Sequence, residues 1–217
     1  MTLYKLGSIG EMVKQIQEAL NLYPDGVFGI STEQAVKEFQ NINGLKADGI
    51  VGPATLAKLI PLRFKKSKRV ITEIIIHCSA TPEGKDYTVE DLRNWHKQQG
   101  WSDIGYHYVI YRNGAIMLGR DVDIVGAHCS KGGHNLHSIG ICYIGGLEYK
   151  ENTYTHLLKP KDTRTDAQKA ALLSLLYDLK KLYPGAKIYG HHDFDPSKAC
   201  PSFDAKKEYK TLQQYLV

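Results

Sequence analysis

The sequence predicts an α/β domain with a central sheet flanked by helices, preceded by a small all-α domain of three short helices. Three observations predict it. The first sixty residues hold two copies of a turn-then-helix pattern, offset by 23 positions. Further on, two short β-prone runs, Val70–Ile76 and Lys187–Tyr189, each end at a histidine, and an amphipathic stretch from Thr165 to Leu182 has the spacing of a helix packed on a sheet. All 9 His and all 4 Cys lie after residue 70, so the side chains able to do chemistry are confined to the second part.

Composition bounds the answer before any motif is read. The chain has 217 residues, 42% hydrophobic and 24% charged, which excludes a disordered or collagen-like chain and leaves room for one domain or two small ones. No apolar run approaches the ~20 residues of a membrane span, so no membrane insertion is expected. Met1 to Ser8 lack a basic segment followed by an apolar core, so the sequence predicts synthesis in the cytoplasm without a signal peptide. Four Cys in such a chain predict reduced thiols, at least one of them a metal ligand, and no structural disulfide. The net charge of +5 is concentrated: residues 1–60 carry −1, residues 70–217 carry +1, and residues 61–69, with Arg63, Lys65, Lys66, Lys68 and Arg69, carry +5. Such a run reads as a solvated basic linker or an electrostatic tether to an anionic polymer, and no nucleic-acid partner is expected.

In residues 1–60 the repeat is Asp25-Gly26-Val27-Phe28-Gly29-Ile30-Ser31-Thr32 and Asp48-Gly49-Ile50-Val51-Gly52-Pro53-Ala54-Thr55. Asp-Gly makes a tight turn, and Ser31 with Gln34 fits a capping box for the helix that follows. Val13, Ile16 and Leu20 share one helical face, and Ala35, Val36 and Phe39 share another. With Gly10, Gln17 and Gln40, these residues resemble the peptidoglycan-binding domain 1 family over positions 5 to 60. The resemblance implies a wall-binding module, whereas the residues by themselves read as core and turn positions of a small three-helix fold.

From residue 70 onward, Val70–Ile76 reads as a buried strand with His77 where it emerges, the usual station for functional groups in a sheet covered by helices. A helix over Thr88–Gln99, capped by Thr88 and stopped by Gly100, places Leu92 and Trp95 in the core. Tyr106–Met117 reads as a hairpin with a type I′ turn at Asn113-Gly114, putting Tyr106 and Tyr108 on one face and His107 on the other. His128, His134 and His137 fall in a Gly-rich loop, Gly126–Gly140. His128 is the candidate for substrate contact, and His134 and His137 are expected in solvent. The long helix starts at the capping box Thr165–Gln168 and stops at Tyr183-Pro184-Gly185. The strand Lys187–Tyr189 then delivers Gly190-His191-His192-Asp193, and the loop returns to Lys198-Ala199-Cys200-Pro201.

Two imidazoles and a thiolate, His77, His191 and Cys200, suit a tetrahedral zinc (Zn2+) that keeps its fourth position for water. Parallel neighbouring strands would bring the ends carrying His77 and His191 together. From spacing alone the alternative is a set of buried neutral His and Cys without metal. His192 and Cys78 compete as ligands, but adjacent side chains on extended backbone point to opposite faces.

His77-Cys78-Ser79-Ala80-Thr81, Trp95-His96-Lys97-Gln98-Gln99-Gly100-Trp101, Gly105-Tyr106-His107-Tyr108, Ser138-Ile139-Gly140-Ile141 and His191-His192-Asp193 with Lys198-Ala199-Cys200-Pro201 follow one another in the chain. Together they resemble the zinc N-acetylmuramoyl-L-alanine amidases of type 2, the family of phage lysozymes and peptidoglycan recognition proteins, over residues 70 to 205. The resemblance implies a mixed central sheet, zinc ligands His77, His191 and Cys200, catalytic partners Tyr106 and Lys198, and hydrolysis of the amide joining N-acetylmuramic acid to L-alanine. The His191–Cys200 loop is one residue longer than in the phage lysozymes. The chemistry agrees with that assignment: zinc makes water nucleophilic and polarises the carbonyl, a cation such as Lys198 stabilises the oxyanion, and Tyr106 can orient water or pass its proton. The expected whole is a peptidoglycan hydrolase of phage or prophage type with domains at 1–60 and 70–217, acting on the bacterial wall after release. The rivals are a non-catalytic peptidoglycan receptor, against which Cys200 argues, and a zinc peptidase cutting within the stem peptide.

Overall fold

The computed structural model describes residues 3–59 and 64–213, and the chain divides into two compact units, Met1–Arg63 and Phe64–Val217.

The first unit holds α1 (Glu11–Ala19), α2 (Ile30–Ile42) and α3 (Pro53–Leu59), around a core that includes Val13, Ile16, Phe28, Val36 and Val51. The repeat goes deeper than the turn motif. Gln17 accepts from the Gly26 N–H at 2.9 Å, and its amide nitrogen reaches Asp25 Oδ1, the Val27 carbonyl and Thr32 Oγ1. Gln40 repeats the pattern 23 residues on: it accepts from Gly49 N–H at 2.9 Å and reaches Asp48, the Ile50 carbonyl and Thr55. Gly26 and Gly49 take φ of +78° and +73°, a conformation that disfavours any side chain. The expected Ser31 cap does not form. Gly29 is the N-cap of α2 without a side-chain cap, because the helix begins at Ile30 and so includes Ser31.

Each glutamine therefore satisfies the polar groups of one turn from inside the core. Truncation of Gln40 to Ala orphans a buried N–H and a carbonyl, a loss of ~2–4 kcal/mol that a unit of this size tolerates poorly. Calorimetry of Gln40→Ala is expected to show a weakened or lost transition of the first unit, with the second unit's transition unmoved. A single shift of both transitions together would count against two independent cores.

The second unit is built on a five-stranded mixed sheet. Its elements in chain order are β1 (Glu73–Cys78), β2 (Thr81–Pro82), α4 (Val89–Gln98), β3 (Tyr108–Ile110), β4 (Ile116–Leu118), β5 (Ser138–Tyr143), β6 (Gly146–Leu147), α5 (Asp166–Leu182), β7 (Lys187–Gly190), α6 (Ala205–Glu208) and α7 (Lys210–Gln213). The strand order is β4-β3-β5-β1-β7, parallel throughout except for β4, which runs antiparallel to β3. β2 and β6 form a separate parallel pair. One face of the sheet packs Ile74, Ile76, Tyr108, Ile139 and Ile141 against Leu172, Leu175, Leu176 and Leu179 of α5. The other packs Val109 and Cys142 against Leu92 of α4, with Trp95 and Tyr106 alongside. Both helices start as read: Thr165 with Gln168 and Thr88 with Asp91 form reciprocal capping boxes.

Several local expectations differ from the structure. The first strand starts at Glu73, not Val70, which is exposed, and it includes His77. The hairpin loop is not type I′: the Gly114 N–H donates to the Tyr111 carbonyl, Gly114 alone takes positive φ (+86°), and Asn113 Oδ1 accepts from Ala115 N–H. This is a tight turn followed by one left-handed glycine, the three-residue alternative. Tyr106 and Tyr108 face opposite ways: just before β3 the consecutive N–H groups of Gly119 and Arg120 donate to the His107 and Tyr106 carbonyls, where a regular antiparallel ladder would use alternate residues.

The basic run is also not a linker throughout. Residues 61–63, including Arg63, lie outside the described residues, but Phe64 onward belongs to the second unit. Ser67 is buried and its hydroxyl donates to the Val122 carbonyl. Lys65 bridges Asp121 and Asp123, and the Arg69 guanidinium donates to the Val122 and Ser138 carbonyls. Of the four described basic residues of the run, Lys65 and Arg69 are thus taken up by the second unit, whereas Lys66 and Lys68 are exposed.

Candidate metal centre

Parallel pairing of β1 with β7 sets the site. The register pairs Ile76 with Gly190, so the next residues, His77 and His191, leave adjacent strands side by side. Their ring centroids are 4.7 Å apart. The loop after His191 returns so that Cys200 Sγ lies 3.6 Å from His77 Nδ1 and accepts from the Cys78 N–H at 3.3 Å. One ligand atom from each of His77, His191 and Cys200 falls within 4.8 Å of the others, the His/His/Cys group that the sequence predicts.

His192 is excluded from this group for a reason other than the one expected. The strand ends at Gly190 and His191–Asp193 forms a 3-10 turn, so consecutive side chains are rotated by about a third of a turn instead of alternating. The His192 N–H donates to the Cys200 carbonyl and ties the loop closed. Cys78 belongs to the α5 side of the core, but its side chain also touches Cys200.

The electrostatics favour a metal-binding protonation state for the imidazoles. Burial, reinforced by the neighbouring His128 and His191, holds His77 well below its ordinary range. Burial lowers His191 as well; the Asp195 carboxylate opposes that shift, and the Lys198 charge adds to it. Both are neutral near pH 7, the form that donates to a metal. The Cys200 thiol is held well above its usual range, first by its contact with Cys78 and then by burial, so only a cation in the group would make it a thiolate. Two neutral imidazoles and a polarisable sulfur fit zinc better than a hard cation such as magnesium or calcium.

The other predicted residues surround this group differently. The Tyr106 ring lies 5.2 Å from that of His77, and its side chain hydrogen-bonds Cys142, while burial pushes the phenol well above its ordinary range and keeps it protonated. Lys198 is exposed on the returning loop, its N–H donating to the Asp195 carbonyl. A cleft of about 660 Å³ opens beside the trio, lined by Trp101, Arg120, Lys131, Asp195 and Lys198 together with His128 and His191. His128 borders that cleft, but the ring is buried: Nδ1 lies 3.1 Å from His77 Nε2, and Nε2 lies 3.3 Å from Ser138 Oγ. Both nitrogens of the residue expected to contact substrate are thus engaged inside the protein.

His134 is not a solvent residue either. It sits 2.9 Å from the Glu73 carboxylate and stacks on Phe194 at 3.7 Å, whereas His137 is exposed as expected. The reading from sequence missed the Lys131–Asp195 ion pair (3.1 Å), which joins the Gly-rich loop to the loop carrying Lys198. It also missed the Tyr106–Cys142 contact. No local signal announces either pair, since the partners lie 64 and 36 residues apart.

Residues 67–203 match the profile of a family described as N-acetylmuramoyl-L-alanine amidase, and residues 9–59 match that of a peptidoglycan binding domain. The endolysin of Klebsiella phage KP32 is 47% identical over 146 residues, 67% of this chain and 89% of that protein. The endolysin of Escherichia phage T7 is 42% identical over 142 residues, 65% of this chain and 87% of that protein. Among solved structures, the N-acetylmuramoyl-L-alanine amidase LysC from Clostridium intestinale superposes with a TM-score of 0.52 at 27% identity, covering 66% of this chain and 86% of its own.

Proposed function

The chain belongs to the N-acetylmuramoyl-L-alanine amidase family, and from that membership we propose that its hydrolysis of peptidoglycan runs at a zinc ion held by His77, His191 and Cys200. The observation that carries this reading is the β1–β7 register, which sets His77 and His191 side by side with Cys200 closing the group. Zinc in that site supplies a Lewis acid for the scissile carbonyl and a nucleophilic water at neutral pH.

The protein's own residues do the rest. The cleft beside the trio receives the muramoyl-peptide so that the carbonyl of the lactyl group faces His191 and Lys198. The Lys198 ammonium, on a loop whose turn is fixed by Asp195, stabilises the negative charge that develops on that oxygen. Tyr106 stays protonated beside His77 and orients the attacking water through its hydroxyl. Lys198→Ala and Tyr106→Phe should keep the metal and lower kcat by ~10²-fold or more, the effect of losing one such group. Loss of metal in either variant would move that residue into the ligand set.

The reaction is tested by its products. Mass spectrometry of digested walls should find glycan strands with free muramic acid carboxyls and peptides whose new amino terminus is L-alanine. A new terminus elsewhere in the stem peptide would replace the amidase with a peptidase, and intact muropeptides would leave a receptor.

Residues 1–60 are proposed as a wall anchor and the whole chain as a phage or prophage endolysin, like the Klebsiella phage KP32 protein in kind. The second unit alone should then cleave soluble muropeptides at the full-length rate, whereas on insoluble walls at low enzyme concentration the full chain should be faster, because anchoring raises the local concentration of the catalytic unit. Equal wall binding by both would leave the first unit without a binding role.

A further inference from the structure

We propose that His128 is a positioning residue for the metal centre: it accepts the Nε2 proton of His77 and thereby holds His77 in the tautomer whose Nδ1 is free to bind metal. The inference rests on the reading of His77, His191 and Cys200 as ligands. A neutral imidazole carries one N–H and one lone pair, so the two nitrogens of His77 have different roles. Nδ1 is the atom that faces Cys200 Sγ, at 3.6 Å, and Nε2 faces His128 Nδ1, at 3.1 Å. If Nδ1 is to donate to a metal, the proton sits on Nε2. His128 must then accept at Nδ1 and carry its own proton on Nε2, where Ser138 Oγ lies at 3.3 Å. That chain gives each ring one proton and each nitrogen a partner. The reverse assignment would point an N–H at the cysteine and remove a ligand.

The packing indicates that the ring is placed for this contact. A Cβ on Gly140 would come within 2.4 Å of His128 Cδ2, and one on Gly126 within 2.5 Å, so the two glycines make room for the imidazole. Neither takes a left-handed conformation, and space is the reason for both. His107 closes the slot, its ring centroid 5.6 Å from that of His128 and its Nδ1 accepting from Gly140 N–H at 2.9 Å. Metal-bound histidines are usually held by a carboxylate, a carbonyl or water. A neutral imidazole does the same work here and adds no negative charge behind the site.

Nitrogen-15 NMR of metal-free full-length protein with labelled histidines reads the tautomers directly and needs no variant. The expected result is Nε2–H on both His77 and His128, and Nδ1–H on His77 would overturn the inference. Zinc affinity by chelator competition supplies the second readout. His128→Ala should weaken binding ~10–100-fold, the range for losing such a partner. His128→Asn, whose side-chain oxygen takes the place of Nδ1, should recover most of the loss, and Gly140→Ala, which expels the ring, should reproduce it. Wild-type affinity in His128→Ala would reject the positioning role. His77→Ala is the control: if it too binds zinc normally, the ligand assignment itself has failed, and if it alone loses zinc, only the role of His128 has.

Discussion

Cys200→Ser and His77→Ala are each expected to abolish zinc binding at stoichiometric metal and to lower amidase turnover by ~10³-fold or more, the rate equivalent of several kcal/mol of lost transition-state stabilisation. The expectation follows from geometry. His77 is almost wholly buried, its Nδ1 lies 3.6 Å from Cys200 Sγ and its ring 4.7 Å from that of His191, so each substitution removes one of three donors that the fold brings together. Serine at position 200 keeps the loop's shape but offers a hydroxyl that does not ionise as a thiol does. Metal content by elemental analysis and thermal melts with and without zinc check the two halves separately. Wild-type protein should be stabilised by ~2.7 kcal/mol when free zinc is a hundred times its dissociation constant, and neither variant should respond. Full metal content in both variants would remove the central assignment.

The second large effect is on stability in acid. His107 is fully buried, and burial pushes its pKa down to about 4 from the ordinary 6.5. His77 and His128 are held lower than ordinary for the same reason, and His96 and His191 shift the same way. Below pH 6.5 the unfolded chain takes up protons that the folded one refuses, so stability is complete above that pH and is lost as the pH falls. For His107 alone the shift amounts to about 3 kcal/mol between pH 6.5 and 4. Asp123, held to about 2 by its hydrogen bonds with Lys65 and the Lys68 backbone, and Asp195, held to about 2 by Ser197 and Lys131, act only below pH 4. Urea unfolding of the second unit in metal-free protein should therefore show a midpoint that drops steeply from pH 6.5 to 4.5. His107→Gln should have a shallower slope whatever its absolute stability. A flat profile over that range would mean that these imidazoles are protonated in the folded protein.

What the sequence by itself determined is whatever a few adjacent residues decide. The caps at Thr88 and Thr165 need only a side chain and the backbone three residues on, and they form as read. The β-branched run Ile74–Ile76 reads as a buried strand and forms one, and His77, His191 and Cys200 are legible as candidates because each stands beside a strand end or a Cys-Pro turn. The 23-residue repeat was visible through Asp-Gly, and Gln17 and Gln40 stand at the same offset, but their part in it depends on polar atoms that only a closed core buries.

Tertiary structure decided the rest, since the deciding partners are far apart in the chain. Arg69 reads as one more charge of a solvated run until the Val122 and Ser138 carbonyls approach it, 53 and 69 residues away. Tyr106 reads as sharing a face with Tyr108 because strand alternation presumes a regular ladder, and the consecutive Gly119 and Arg120 N–H groups that bond His107 and Tyr106 break it. His128 reads from the sequence as a substrate contact on a Gly-rich loop. Gly140, on β5, and Gly126 instead open a slot that takes the ring inside, where a hydrogen bond to His77 spans 51 residues. Local propensity is paid in short-range hydrogen bonds and reads off neighbours, whereas a buried polar group takes its partner from whichever element the topology lays beside it.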